Sequence, residues 1–175
     1  DFAADTMYAT LASHTAPYKE YSLGGRALDW KLVWEDDPPL DLTQIVAERV
    51  YVPAKDGTKI PVFIARRKDS KLDGTNPTLL NGYGGFNIPV APFYLGSYSS
   101  FINRGGILVD AGIRGGSEYG ERWHEQAMFG RKQTTFDDMI AVAEWLIAQK
   151  YTQPSKLAVS GGSNGGLTVG AVITQ

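Results

Sequence analysis

Ser163 sits at the centre of Ser160-Gly161-Gly162-Ser163-Asn164-Gly165-Gly166, which contains Gly-x-Ser-x-Gly at Gly161, Ser163 and Gly165. A serine hydroxyl attacks a carbonyl only when a base can take its proton and donors can hold the resulting oxyanion. The apolar run Leu157-Ala158-Val159-Ser160 reads as a strand entering the turn, and Leu167 to Gln175 reads as the start of a helix leaving it. Strand, sharp turn and helix in that order make a nucleophile elbow, where strand and helix nearly touch and only small neighbours fit. The helix N-terminus adds positive potential where an oxyanion would form, and the backbone N–H of Asn164 is the expected first donor. The plainer alternative is a glycine-rich turn with an ordinary surface serine, and the flanking strand and helix argue against it. A nucleotide-binding loop fits poorly, because Ser163 stands where Gly-x-Gly-x-x-Gly needs its second glycine and no Lys-Ser or Lys-Thr pair is present.

A second segment, Asn81-Gly82-Tyr83-Gly84-Gly85-Phe86-Asn87, follows the apolar run Thr78-Leu79-Leu80. The second oxyanion donor of such a site comes from the loop after this strand. Many esterases carry His-Gly-Gly there; this chain has Tyr-Gly-Gly. A phenol O–H donates a hydrogen bond, so Tyr83 is a candidate donor through its side chain. The alternative is a turn with a packed tyrosine.

The elements that must carry these segments are legible upstream and between them. Residues 1 to 37 hold short Tyr-, Thr- and Trp-rich runs, with a Gly24-Gly25 turn before Leu28 to Trp34, and suggest an antiparallel β element. Glu35-Asp36-Asp37-Pro38-Pro39 reads as a domain boundary. Glu48 to Val52 and Lys59 to Ile64 flank Asp56-Gly57, a hairpin signal, with Pro61 expected to put the second strand at an edge or on a bulge. Thr78 to Leu80 and Ile107 to Val109 suit strands buried on both faces. Phe136, Met139, Ile140, Ala143, Leu146 and Ile147 share one face of a predicted helix, capped by Thr134 or Thr135 with Asp137 or Asp138 three residues on. The fold class expected is α/β, the N-terminal half of an α/β-hydrolase sheet.

Composition narrows the function classes. The 175 residues carry a formal charge of −2, which gives no sign of a nucleic-acid partner. No apolar run approaches the roughly 18 residues needed to cross a bilayer, so no membrane partner is expected. The absence of cysteine excludes a disulfide scaffold, a thiol nucleophile and a thiolate metal site within these residues. A cytoplasmic location is the expectation, with the periplasm or secretion left open. His124 next to Glu125 lacks further clustered ligands for a metal and reads as structural; His14 reads as a surface loop residue. Asp137 and Asp138 are explained by the start of the helix.

Three segments together resemble one family: Tyr83-Gly84-Gly85-Phe86-Asn87, Ile113-Arg114-Gly115-Gly116-Ser117-Glu118-Tyr119-Gly120 and Gly161-Gly162-Ser163-Asn164-Gly165-Gly166. In order and spacing they are similar to the prolyl oligopeptidase family of serine peptidases. The likeness covers roughly residues 45 to 175. It implies residues 1–37 as the end of a β-propeller, its last blade, and 38–175 as part of an α/β-hydrolase catalytic domain. It further implies Ser163 as nucleophile, Tyr83 and the Asn164 amide as the oxyanion hole, and Phe86 as a wall of a proline pocket. The family hydrolyses short peptides on the carboxyl side of proline, without metal or organic cofactor. Phe86 and Asn164 favour the prolyl branch over relatives that cleave after basic residues. The alternatives are another peptidase or esterase of this fold, or a non-catalytic protein that binds peptides.

The pattern breaks after the serine. The fold orders its triad Ser, then Asp or Glu, then His, yet Asn164 to Gln175 contain neither an acid nor a His. The expectation is that both lie beyond Gln175 and that the missing partner is the remainder of the catalytic domain. These 175 residues alone are therefore expected to be aggregation-prone and to show little or no turnover.

Overall fold

The computed structural model describes residues 6–24, 29–37 and 41–175. The expected Gly25 turn, Leu28 and the Pro38-Pro39 break lie outside the described residues. β1 (Thr6–Ser13), β2 (Ala16–Gly24) and β3 (Asp29–Glu35) pair antiparallel in sequence order. They form an open three-stranded sheet, not a closed propeller, and leave Met7, Tyr8, Trp30 and Trp34 exposed.

One residue of this sheet departs from expectation. His14, expected on the surface, is 4% exposed in the β1–β2 turn. It lies between the rings of Phe63 and Phe93, with Nε2 3.7 Å from Asp110 Oδ2. Burial of the turn against the main sheet could not be read from the turn's own polar residues.

The main sheet has five strands in the order β4-β5-β7-β6-β8. These are β4 (Ile45–Pro53), β5 (Lys59–Arg67), β6 (Thr78–Gly82), β7 (Ile107–Ala111) and β8 (Leu157–Ser160). The β4–β5 hairpin turns where Asp56-Gly57 predicts. Gly57 takes φ +82 there, and the Asp56 carboxylate accepts from the Thr58 N–H at 3.0 Å.

Pro61 does not mark an edge, because β5 is internal between β4 and β7. The β5–β7 ladder begins only at Val62↔Ala111. The N and carbonyl of one extended residue face the same neighbour, so the missing N–H falls where that ladder ends. The Pro61 carbonyl still accepts from the Gly112 N–H at 2.9 Å.

β7 is buried throughout, as its apolar run implies, whereas β6 alternates between buried and half-buried residues. α1 (Tyr98–Asn103) covers one face of the sheet, with Ile102 among Leu95, Leu108 and Ala65. α3 (Gln133–Ala148), which follows the short α2 (Glu121–Glu125), covers the other with Met139, Val142 and Leu146. α4 (Asn164–Thr174) lies against α3. Among the described residues, no helix is long and apolar enough to cross a membrane.

The buried face of α3 is rotated from the expected one. Thr135, Asp138, Met139, Val142 and Leu146 are buried, while Phe136, Ile140, Ala143 and Ile147 are half-buried flanks. The helix also starts at Gln133, with no side-chain cap. Neither Thr135 nor Asp138 serves as a capping group: both point inward to polar partners on neighbouring loops, and these partners turn the helix.

Candidate active site

β6, β7 and β8 run parallel, with Gly82 paired to Ala111 and Asn81 to Ser160. Their C-terminal ends therefore align at one edge of the sheet, where ligands of α/β sheets bind. The three glycine-containing segments are the loops that leave those ends, so parallel pairing gathers residues as far apart in sequence as Gly82 and Gly165.

Ser163 lies between β8 and α4 with φ +53 and ψ −117, a conformation that side-chain-bearing residues rarely adopt. It is exposed, and its side chain makes no capping bond to the helix. A Cβ on Gly161 would come 2.5 Å from the Gly165 carbonyl oxygen, and one on Gly165 would come 2.7 Å from the Gly82 carbonyl oxygen. Gly162 has open space, and Gly166 would make ordinary contact. The two glycines of Gly-x-Ser-x-Gly are thus the two the geometry requires. The Asn164 N–H has no acceptor among the described residues, as befits the first residue of a helix.

The Tyr83 loop is built against this turn. The Asn164 side-chain amide donates to the Tyr83 carbonyl at 2.6 Å, and a Cβ on Gly85 would come 2.5 Å from that amide. Gly84 has φ +63 and Gly115 φ +108, and a Cβ on Gly115 would collide with the Gly84 carbonyl. Backbone packs on backbone here, which accounts for the glycines of both loops. Tyr83 is half-buried.

Phe86 also has positive φ, +52, and is 73% exposed. It lines an apolar cavity of about 400 Å³ together with His124, Met128, Phe129, Asn164 and Leu167. The His124 Nδ1 lies 2.6 Å from the Gly115 carbonyl, so this ring ties the Gly115 loop, in keeping with its structural reading.

Arg114 anchors the same loop. Its Nε and Nη2 donate to the two oxygens of Asp138 at 2.9 and 2.6 Å, and its backbone N–H donates to Oδ2 at 3.0 Å. Nη1 donates to Asp56 on the β4–β5 turn at 2.5 Å. The Asp138 carboxylate is 0% exposed. The bidentate carboxylate and the second acid raise the guanidinium pKa above its ordinary value.

This network was not legible in the sequence. Arg114 is visible in its motif, but its partners lie 24 and 58 positions away with no spacing rule linking them. Glu118 of the same segment accepts from the Val90 N–H at 2.8 Å, and its burial pushes the carboxyl pKa up.

Hydrogen bonding to Arg114 holds the Asp56 carboxyl down at about 2, helped by the Thr58 N–H and hydroxyl against partial burial. A depressed carboxyl pKa stabilises the fold fully above the unfolded value of about 3.9, and that contribution is lost as pH falls through about 2. With the Asp56 side chain 55% exposed, screening limits it to about 1 kcal/mol or less. Asp56→Asn is expected to lower the thermal midpoint at pH 7, with the difference from the parent closing by about pH 2 in a melting series. A constant difference across that series would refute the assignment.

Residues 93–175 match the model of the prolyl oligopeptidase family. The chain is 47% identical over 140 residues to a prolyl oligopeptidase of Omphalotus olearius, covering 79% of this chain and 19% of that one. A solved structure from a mechanistic study of two prolyl endopeptidases superposes with TM-score 0.95 at 44% identity, over 98% of this chain and 25% of that one. Oligopeptidase B of Leishmania major superposes with TM-score 0.91 at 32% identity, over 98% of this chain and 24% of that one. The chain spans about a fifth of the length of the curated relatives it matches.

Proposed function

This chain belongs to the prolyl oligopeptidase family, whose members are serine peptidases, and on that premise we propose that it carries the nucleophile and oxyanion hole of a peptidase cleaving short peptides after proline. The observation that carries the reading is Ser163, strained and exposed at the tip of β8, beside an Asn164 N–H without an acceptor among the described residues. Ser163 Oγ attacks the proline's own carbonyl carbon. Its proton passes to a base and then to the leaving amine as the C–N bond breaks. Tyr83 O–H and the Asn164 N–H hold the oxyanion, and water then releases the acyl-enzyme. Residues 164–175 supply neither that base nor an acid to orient it. Phe86 offers the proline ring a flat apolar wall. Residues 1–37 are the last blade of a propeller, and 38–175 are part of the catalytic domain.

The test is fluorophosphonate labelling of the full-length protein that the gene encodes, with the adduct mapped by peptide mass, followed by cleavage of matched peptides carrying Pro, Arg or Ala at the cleavage position. Labelling at Ser163 with preference for Pro supports the reading; labelling with preference for Arg or Ala moves it to the alternative of another peptidase of this fold. No adduct at Ser163 removes the catalytic reading and leaves peptide binding. Tyr83→Phe is expected to lower kcat about a hundredfold, the effect of losing one oxyanion donor. Unchanged kcat in Tyr83→Phe would take that role from Tyr83.

A further inference from the structure

We propose that Lys132 is a positioning residue for the oxyanion loop, acting through the Gly84 carbonyl to fix Tyr83; this rests on the reading of Tyr83 as a donor. Two glycines follow Tyr83, so the loop has no side chains of its own there to hold it, and glycine backbone is the least restrained of all. The neighbouring elements supply anchors instead. Lys132, the residue before α3, donates from Nζ to the Gly84 carbonyl at 2.5 Å. The buried Thr135 hydroxyl lies 3.3 Å from the same oxygen and 2.9 Å from the Arg114 carbonyl. Asn164 holds the preceding carbonyl, that of Tyr83. Two successive peptide planes are thereby fixed on either side of Gly84, and they set where the Tyr83 Cα–Cβ bond points.

Lys132 is placed at a cost that a solvating surface lysine does not bear. It is half-buried beside the cavity and makes no ion pair among the described residues. Burial, with no carboxylate to oppose it, pushes its ammonium below the usual lysine range. What it gains is a charge-assisted bond to one backbone oxygen, stronger than a neutral donor would give.

The test uses the full-length protein that the gene encodes, and it is a double-mutant cycle on kcat. Lys132→Met is expected to lower kcat about tenfold with KM changed less than about twofold, the signature of a misplaced transition-state group. Lys132→Arg is expected to recover most of that loss. In a Tyr83→Phe background, Lys132→Met should cost less than about twofold, because the group it positions is already gone. An equal loss in both backgrounds overturns the proposal. Hydrogen exchange gives a second readout independent of turnover: Lys132→Met should speed exchange several-fold in residues 81–88 and leave β4 and β5 unchanged. Unchanged exchange in 81–88 overturns the proposal as well. If Tyr83→Phe alone has no effect on kcat, the donor role of Tyr83 fails, and exchange still decides whether Lys132 holds the loop.

Discussion

In the full-length protein that the gene encodes, exchanging Ser163 for Ala is expected to erase fluorophosphonate labelling and to lower peptide turnover by about 10⁶-fold, the scale set when a serine hydrolase loses its nucleophile. No other residue of the site replaces it: the chain has no cysteine, and Tyr83 is cast as a donor to the oxyanion. The same position separates chemistry from stability. Ser163 sits at φ +53, and Ala keeps the Cβ that makes this conformation costly, so Ser163→Ala should unfold within about 0.5 kcal/mol of the parent. Ser163→Gly relieves the strain and should stabilise the fold by about 1 kcal/mol while being equally inactive. Denaturant midpoints of the two variants, measured beside their labelling, check both claims. Labelling of Ser163→Ala at the parental rate would mean that the reagent reacts elsewhere and that the elbow is only a turn.

Removing the Asp138 carboxylate should produce the largest loss of stability of any single change in the site. Asp138 accepts three N–H bonds from Arg114, and both side chains are almost wholly buried. A buried pair adds little over an apolar replacement of both partners, but deleting one partner leaves the other charge uncompensated, at a cost of about 3–5 kcal/mol. Asp56 cannot replace it, because it meets the outer side of the guanidinium from an exposed turn. Asp138→Ala should therefore lower the denaturant midpoint steeply. Arg114→Lys should lose a large part of the same stability, since a single ammonium cannot reproduce the planar fork that meets Asp138. The loop carrying Gly115 packs on Gly84, so activity should fall together with stability. A loss below about 1 kcal/mol in Asp138→Ala would show that water reaches the guanidinium and that the network is peripheral.

Much of the scaffold follows from rules that act over a few residues. Asp56-Gly57 announces its hairpin because only certain residues tolerate the turn's backbone angles, and Gly57 adopts φ +82 as that demands. The spacing of Gly161, Ser163 and Gly165 announces the elbow, since the close approach of β8 and α4 forbids larger neighbours at those two glycines. Short apolar runs announce β6, β7 and β8. The helix over 133–148 was legible as a helix, but neither its start nor its inward face was. Apolar periodicity turns Phe136 and Ile140 inward, and the structure buries Thr135 and Asp138 in their place.

The sequence by itself thus determined where the strands, the hairpin and the sharp turn after β8 lie and which local shapes they take, because turn angles and steric exclusion act between near neighbours. Only the tertiary structure decided that Asp138 meets Arg114, that Lys132 and Asn164 hold adjacent carbonyls of the Tyr83 loop, that Pro61 lies inside a sheet and that His14 is buried against Asp110. Each of these joins groups brought close by strand order and helix packing, and a polar residue on a helix or turn carries no local mark of the distant partner that will satisfy it.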